Sequence, residues 1–226
     1  MNGLVYISVK KFIFSMKSAV LISFLCLSIA VAGELDLTDE LIEWVNTKYG
    51  SQAKLRVENW RDLLNVKIEA ESDKLKQVND FFNQIPYRSD FENWDKKDYW
   101  ATPVESLGMN AADCEDYAIA KYFTLRELGV APEKLRITYV KAIEINQAHM
   151  VLAYYEEPAS IPLILDNLKP EIRSADKRKD LVPVYGFNAE GLWLAVNRGH
   201  GKHLGDSKRI SLWNKVIKKM KQELKQ

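Results

Sequence analysis

Apolar residues recur at helical spacing through the first third of the chain. Leu41, Trp44, Val45 and Tyr49 share one face. Thr38 stands where a cap belongs, and Asp39 and Glu40 follow where negative charge suits the helix dipole, so a helix is predicted up to a stop at Gly50. The same period continues over 51–70 through Leu55, Trp60, Leu63 and Leu64. Ser72 is the expected cap of a third helix carrying Leu75, Val78, Phe82 and Ile85 and ended by Pro86. The period is then lost. Residues 87–112 mix aromatic and charged residues and read as one long loop, a length that in compact domains is often functional. Helical spacing returns over 113–128, with Ala118, Ile119, Tyr122, Phe123, Leu125 and Leu128 facing inward and Gly129 closing the helix.

Beyond Gly129 the pattern changes to strand. Residues 135–142 and 148–155 are β-branched and aromatic, and 162–166 and 192–196 are shorter candidates. A helix resumes at Ser211 through Leu212, Val216 and Met220. Helices, then antiparallel strands, then a helix define an α+β fold, and nothing in 33–226 marks a repeat or a second domain.

The first 32 residues stand apart. Lys10, Lys11 and Lys17 precede an uncharged run over 18–32 that ends Ala30-Val31-Ala32, the pattern of a secretory signal peptide cleaved after Ala32. Met16 offers an alternative start. The apolar run is short for a membrane span, so the expected product is an exported protein without stable membrane insertion; an uncleaved anchor is the alternative. Those residues hold three lysines and no acids, so 29 basic residues then face 31 acidic ones, a net charge of −2. No basic excess points to nucleic acid. The basic tail residues Lys215, Lys218, Lys219, Lys221 and Lys225 read as a solvated helix face.

Of the two cysteines, Cys26 belongs to the leader, which leaves Cys114 without a disulfide partner in an oxidising compartment. Such a cysteine is either a small buried residue or a thiol kept for chemistry. Cys114 falls at the start of the central predicted helix. There the dipole stabilises a thiolate, and unpaired N–H groups can hold an oxyanion. A cysteine nucleophile needs a base and the base an orienting partner. Among three histidines, His149 opens one predicted strand and Asp166 ends the next, so adjacent antiparallel strands can place them together at one sheet end; the alternatives are a surface or core histidine and an Asx turn of Asp166 with Asn167. His200 and His203 lie in a glycine-rich stretch that suits a precise base poorly, and no acid cluster supports them as a metal pair.

Three carboxylates crowd the thiol in Asp113-Cys114-Glu115-Asp116. Like charge opposes thiolate formation, so either a hard cation such as Ca²⁺ neutralises them or they are solvated, capping or lysine-paired acids.

The run ATPVESLGMNAADCEDYAIAKYFTLRELGV, followed in order by AHMVLAYY, LILDNL and DLVPVYGFNAEGLWLA, resembles the bacterial transglutaminase-like cysteine proteinases over about residues 85–215. The resemblance implies a transglutaminase-like fold within the papain-like group. It implies Cys114 as nucleophile, His149 as base and Asp166 as third member, with Asp113 and Glu115 at calcium-linked positions and Asp116 as a further candidate. It also implies a periplasmic endopeptidase that cuts a large surface adhesin near its N-terminus, at a dialanine site. That cut releases the adhesin and disperses biofilm. The implied regulator is the periplasmic domain of an inner-membrane cyclic di-GMP receptor. Residues 108–112 are poorer in glycine than the family pattern. Trp100 is either a cleft wall or an aromatic packed under a loop. Acyl transfer to an amine on the same triad and a non-enzymatic binding module are the rival expectations.

Overall fold

The computed structural model describes residues 35–194 and 202–226. The signal-peptide reading of 1–32, His200 and the end of the 192–196 strand lie outside the described residues. Helices α1 (Asp39–Tyr49), α2 (Ser51–Asn65) and α3 (Glu71–Phe82) come first. Thr38 caps α1 by accepting from Leu41 N at 3.1 Å, and Gly50 ends it at φ 91°. The second helix stops at Asn65 rather than 70. The third begins at Glu71, with Ala70 at the cap and no side-chain cap bond, so Ser72 is an interior residue and not the cap.

The segment read as a long loop contains two short helices, α4 (Asp90–Trp94) and α5 (Pro103–Met109). Each starts with a capping box, Ser89 with Glu92 and Thr102 with Glu105, which satisfies end donors that a helix this short otherwise leaves bare. Gly108 is needed in α5, because a Cβ there would lie 2.8 Å from the Tyr49 ring.

Helix α6 (Cys114–Glu127) is the centre of the core. Its residues from Asp116 to Leu125 are all buried, so it is covered on every side, as an apolar helix must be. Trp60, fully buried on α2, packs at its side and donates to Thr124 Oγ1 at 2.9 Å. On its other side lies the sheet, formed by β1 (Leu135–Ala142), β2 (Gln147–Tyr154), β3 (Leu163–Leu165), β4 (Arg173–Ser174), β5 (Leu181–Phe187), β6 (Leu192–Leu194) and β7 (His203–Gly205). The strand order is β4-β3-β2-β1-β5-β6-β7, antiparallel throughout. The period of two along β2 sends Met150, Leu152 and Tyr154 into the main core and Val151 and Ala153 into a smaller cluster.

Strand β5 has no counterpart among the expected strands because Pro183 interrupts its pattern. A bulge accommodates the proline: Tyr139 pairs with Tyr185 but Val140 with Pro183, and β6 joins β5 only from Tyr185 onward. Helix α7 (Ser211–Glu223) closes the fold through Trp213, which stacks on Phe123. No helix among the described residues is long and apolar enough to cross a membrane.

Candidate active site and its acidic flank

Several bonds fix the start of α6. Arg88 N donates to Ala112 O at 2.9 Å, Ala112 N to Pro86 O at 3.3 Å, and Tyr117 Oη to Ile85 O at 2.5 Å. These tie the residues before the helix to the strip that follows α3. Asp113 is the N-cap and Cys114 the first helical residue. The thiol is free and half-buried. Its sulfur donates to Glu115 Oε2 at 3.0 Å, and the Met150 N–H of β2 also reaches it. Burial pushes the thiol pKa well up; the Glu115 charge and hydrogen bond and then Asp113 push the same way, against the Met150 N–H. The sulfur therefore meets the sheet at the residue next to His149.

His149 and Asp166 come together. Because Leu152 pairs with Leu165, the start of β2 lies beside the end of β3. His149 Nε2 lies 2.8 Å from Asp166 Oδ1, with the two residues 4% and 1% exposed. Leu168 N donates to the same oxygen at 3.0 Å, and Arg178 Nη2 to Oδ2 at 2.7 Å. Asn83 Nδ2 donates to the Asp166 carbonyl at 2.9 Å, and the buried Lys121 of α6 donates to Asn83 Oδ1 at 2.8 Å. Burial alone would raise the Asp166 carboxyl. The His149 contact, then Arg178 and the Leu168 N–H, outweigh it and hold the group below the usual carboxylate range.

The acids on the other flank are not satisfied in this way. Asp90, Asp113 and Glu115 each present a carboxylate oxygen, all within 4.8 Å of one another. Asp90 Oδ2 accepts from Tyr99 N at 2.6 Å, but Asp90 Oδ1 and Asp113 Oδ1 are buried with no hydrogen-bond partner among the described residues. Burial, opposed by the Tyr99 N–H and reinforced by Glu115 and Asp98, pushes Asp90 up to about 6. Burial, followed by Asp116 and Glu115, raises Asp113 as well. Convergent, orphaned carboxylate oxygens are the ligands that a hard divalent cation takes, so these residues fit Ca²⁺.

Two residues of this flank depart from the sequence expectation. Asp90 joins the cluster although it lies far away in sequence, in the stretch read as loop. Asp116 does not join: it turns inward, accepting from Ala101 N at 2.7 Å and from Asp113 N at 3.4 Å.

Three other candidates resolve by packing. Trp100 is 5% exposed and stacks on Phe187 at 5.6 Å, so it is packed beneath the loop and is no cleft wall. His203 lies on β7 against Trp193, away from the thiol's partners. Lys219 leaves the solvated face expected for the tail and donates to Trp100 O at 2.8 Å and to Glu105.

The layer of helices on an antiparallel sheet, with a thiol at the start of the central helix, is that of a cysteine peptidase of transglutaminase-like fold. The chain belongs to the bacterial transglutaminase-like cysteine proteinases, whose family model matches residues 48–200. Among solved structures it is similar to Legionella pneumophila LapG. The EGTA-treated form shares 43% identity at a TM-score of 0.71, covering 80% of this chain and 96% of that one. The calcium-bound form shares 44% identity at a TM-score of 0.69, covering 80% of this chain and 98% of that one. No curated protein sequence matches the chain significantly.

Proposed function

We propose that this chain is a calcium-dependent periplasmic cysteine endopeptidase that cuts a large cell-surface adhesin near its N-terminus and so releases it. The buried contact between His149 Nε2 and Asp166 Oδ1 beside the Cys114 helix start carries this reading. With Nε2 engaged, Nδ1 is the ring nitrogen left for the thiol. His149 takes the proton from Cys114, and the sulfur attacks the scissile carbonyl. N–H groups of the first turn of α6, which have no carbonyl four residues back, stabilise the oxyanion. The protonated imidazole then gives its proton to the leaving amine, and water hydrolyses the thioester.

Asp90, Asp113 and Glu115 are the residues that would hold calcium. When bound there, calcium supplies positive charge that cancels the carboxylates opposing the thiolate and competes with the thiol for the Glu115 oxygen. Support comes from the two orphaned oxygens and from the similarity to a LapG structure described as calcium-bound. The adhesin substrate, the periplasmic location and sequestration by the periplasmic domain of a cyclic di-GMP receptor are the family reading extended to this chain.

The test is incubation of the chain with a recombinant adhesin N-terminal segment in excess calcium. A single cut at a dialanine site is expected. An intact segment would refute the substrate assignment. Incorporation of a labelled amine at the acyl position would replace hydrolysis by acyl transfer.

A further inference from the structure

Asp166 touches a guanidinium as well as an imidazole. Arg178 follows β4 in sequence and is 3% exposed. Its Nη2 donates to Asp166 Oδ2 at 2.7 Å and to Asp180 Oδ2 at 2.8 Å, and its Nε to Asp180 Oδ1 at 3.0 Å. Asp180 is also paired with Lys169 at 3.1 Å. The guanidinium is thus clamped between two carboxylates, with its planar fork fixed.

We propose that Arg178 is a positioning residue of this site: it holds Asp166 as an acceptor-only carboxylate, which places the imidazole hydrogen on His149 Nε2 and leaves Nδ1 basic for Cys114. The proposal rests on the peptidase reading above.

Without Arg178, the buried Asp166 carboxylate would keep the imidazole and the Leu168 N–H alone, and burial would then favour its protonated form. Once protonated, it donates from one oxygen. His149 Nε2 can then accept, its hydrogen moves to Nδ1, and the lone pair the thiol needs is lost. An ionised Asp166 excludes that arrangement because it can only accept. The charged or titratable groups around it are His149 of β2, Arg178 and Asp180 beyond β4, and Lys121 of α6. Lys121 acts at one remove, through Asn83 and the Asp166 main chain. Among the described residues, Arg178 is the cation bonded directly to the Asp166 carboxylate. It does not bond the imidazole, so its effect on the thiol passes through Asp166.

The experiment compares the full-length protein with R178M and R178K in calcium, with no substrate. Ring ¹⁵N shifts of His149 report the tautomer. Iodoacetamide alkylation of the Cys114 peptide, read by mass spectrometry near neutral pH, reports the thiol. The Nε2–H tautomer is expected in the wild type. R178M should populate Nδ1–H and slow alkylation about 10-fold, a part of the roughly 10²–10⁴ that a positioned base supplies. R178K keeps the charge without the fork and should fall between them. If R178M does not fold, R178K and D180N carry the test, with smaller shifts in the same direction. A folded R178M, or a folded R178K and D180N pair, with wild-type tautomer and alkylation rate overturns the proposal. A wild-type Cys114 that is inert and indifferent to His149→Ala overturns the peptidase reading instead, while the tautomer comparison still decides the role of Arg178.

Discussion

Two groups of buried carboxylate flank Cys114. On the sheet side, Asp166 receives hydrogen from His149, Leu168 N and Arg178. On the helix side, Asp90 and Asp113 each keep a buried oxygen with no partner, and Glu115 takes its hydrogen from the thiol itself. The first group is complete with protein groups alone. The second repels itself, opposes ionisation of the Cys114 thiol and calls for a cation from solution. Burial is common to both, so burial does not separate them. What separates them is whether a fixed positive or N–H partner was folded in. The proposed base and orienter are built into the sheet, whereas in that proposal the charge around the thiol is left to be set from outside.

The contrast breaks first at the sheet side. Asp166→Asn keeps the size but lets the side chain donate, and it leaves Arg178 with one carboxylate. Peptidase activity should fall on the order of 10³–10⁴-fold, measured as initial rate of adhesin-segment cleavage at saturating calcium. Added calcium should not rescue it, because the two flanks act on different atoms. Recovery by calcium would merge them.

The helix side should respond to metal. EGTA should remove activity and added calcium restore it. Calcium should also stabilise the fold, by about 2.7 kcal/mol at a free concentration about 100 times Kd, seen as a rise in Tm. Asp90→Asn and Asp113→Asn should each shrink that rise. An unchanged melting curve in EGTA and calcium would mean that the acids are satisfied by water alone.

A smaller effect lies behind the helix side, where α7 holds the strip that binds Asp90 and Asp116. Thr102 Oγ1 donates to Glu223 Oε1 at 2.9 Å, and burial pushes Glu223 up from 4.5 to about 7. From pH 4.5 to about 7 the folded chain keeps a proton that the unfolded chain has released. The stability present below pH 4.5 is therefore lost progressively as pH rises through that range. Glu223→Gln should flatten this slope and raise stability above pH 7 by about 1–2 kcal/mol, measured as Tm against pH. A variant with the wild-type slope would show that Glu223 is ionised throughout.

Much of this was legible in the chain. Thr38, Gly50 and Gly129 mark helix ends through cap and turn chemistry, and the two long central strands follow from their β-branched runs. The proposed nucleophile, base and orienter stand at element ends, where spacing carries meaning. Helices α4 and α5 were hidden by their length, too short to show a period, although Ser89-x-x-Glu92 and Thr102-x-x-Glu105 spell their caps. Strand β5 was hidden by Pro183, tolerated at a bulge that is a property of the pair of strands and not of either sequence. Asp90 and Arg178 could not be read from spacing at all. One reaches the acids, the other Asp166, only because the chain between folds back, and local pattern does not record tertiary convergence.

The proposed mechanism turns on a bond from Cys114 to the acyl half of the substrate. Rapid-quench mass spectrometry of the calcium-loaded protein with the adhesin segment observes that bond directly. A thioester on Cys114 with the mass of the N-terminal fragment less one water is predicted in the steady state, with neither adduct nor cleavage in Cys114→Ala. Cleavage that persists in Cys114→Ala, with no adduct in the wild type, would contradict it.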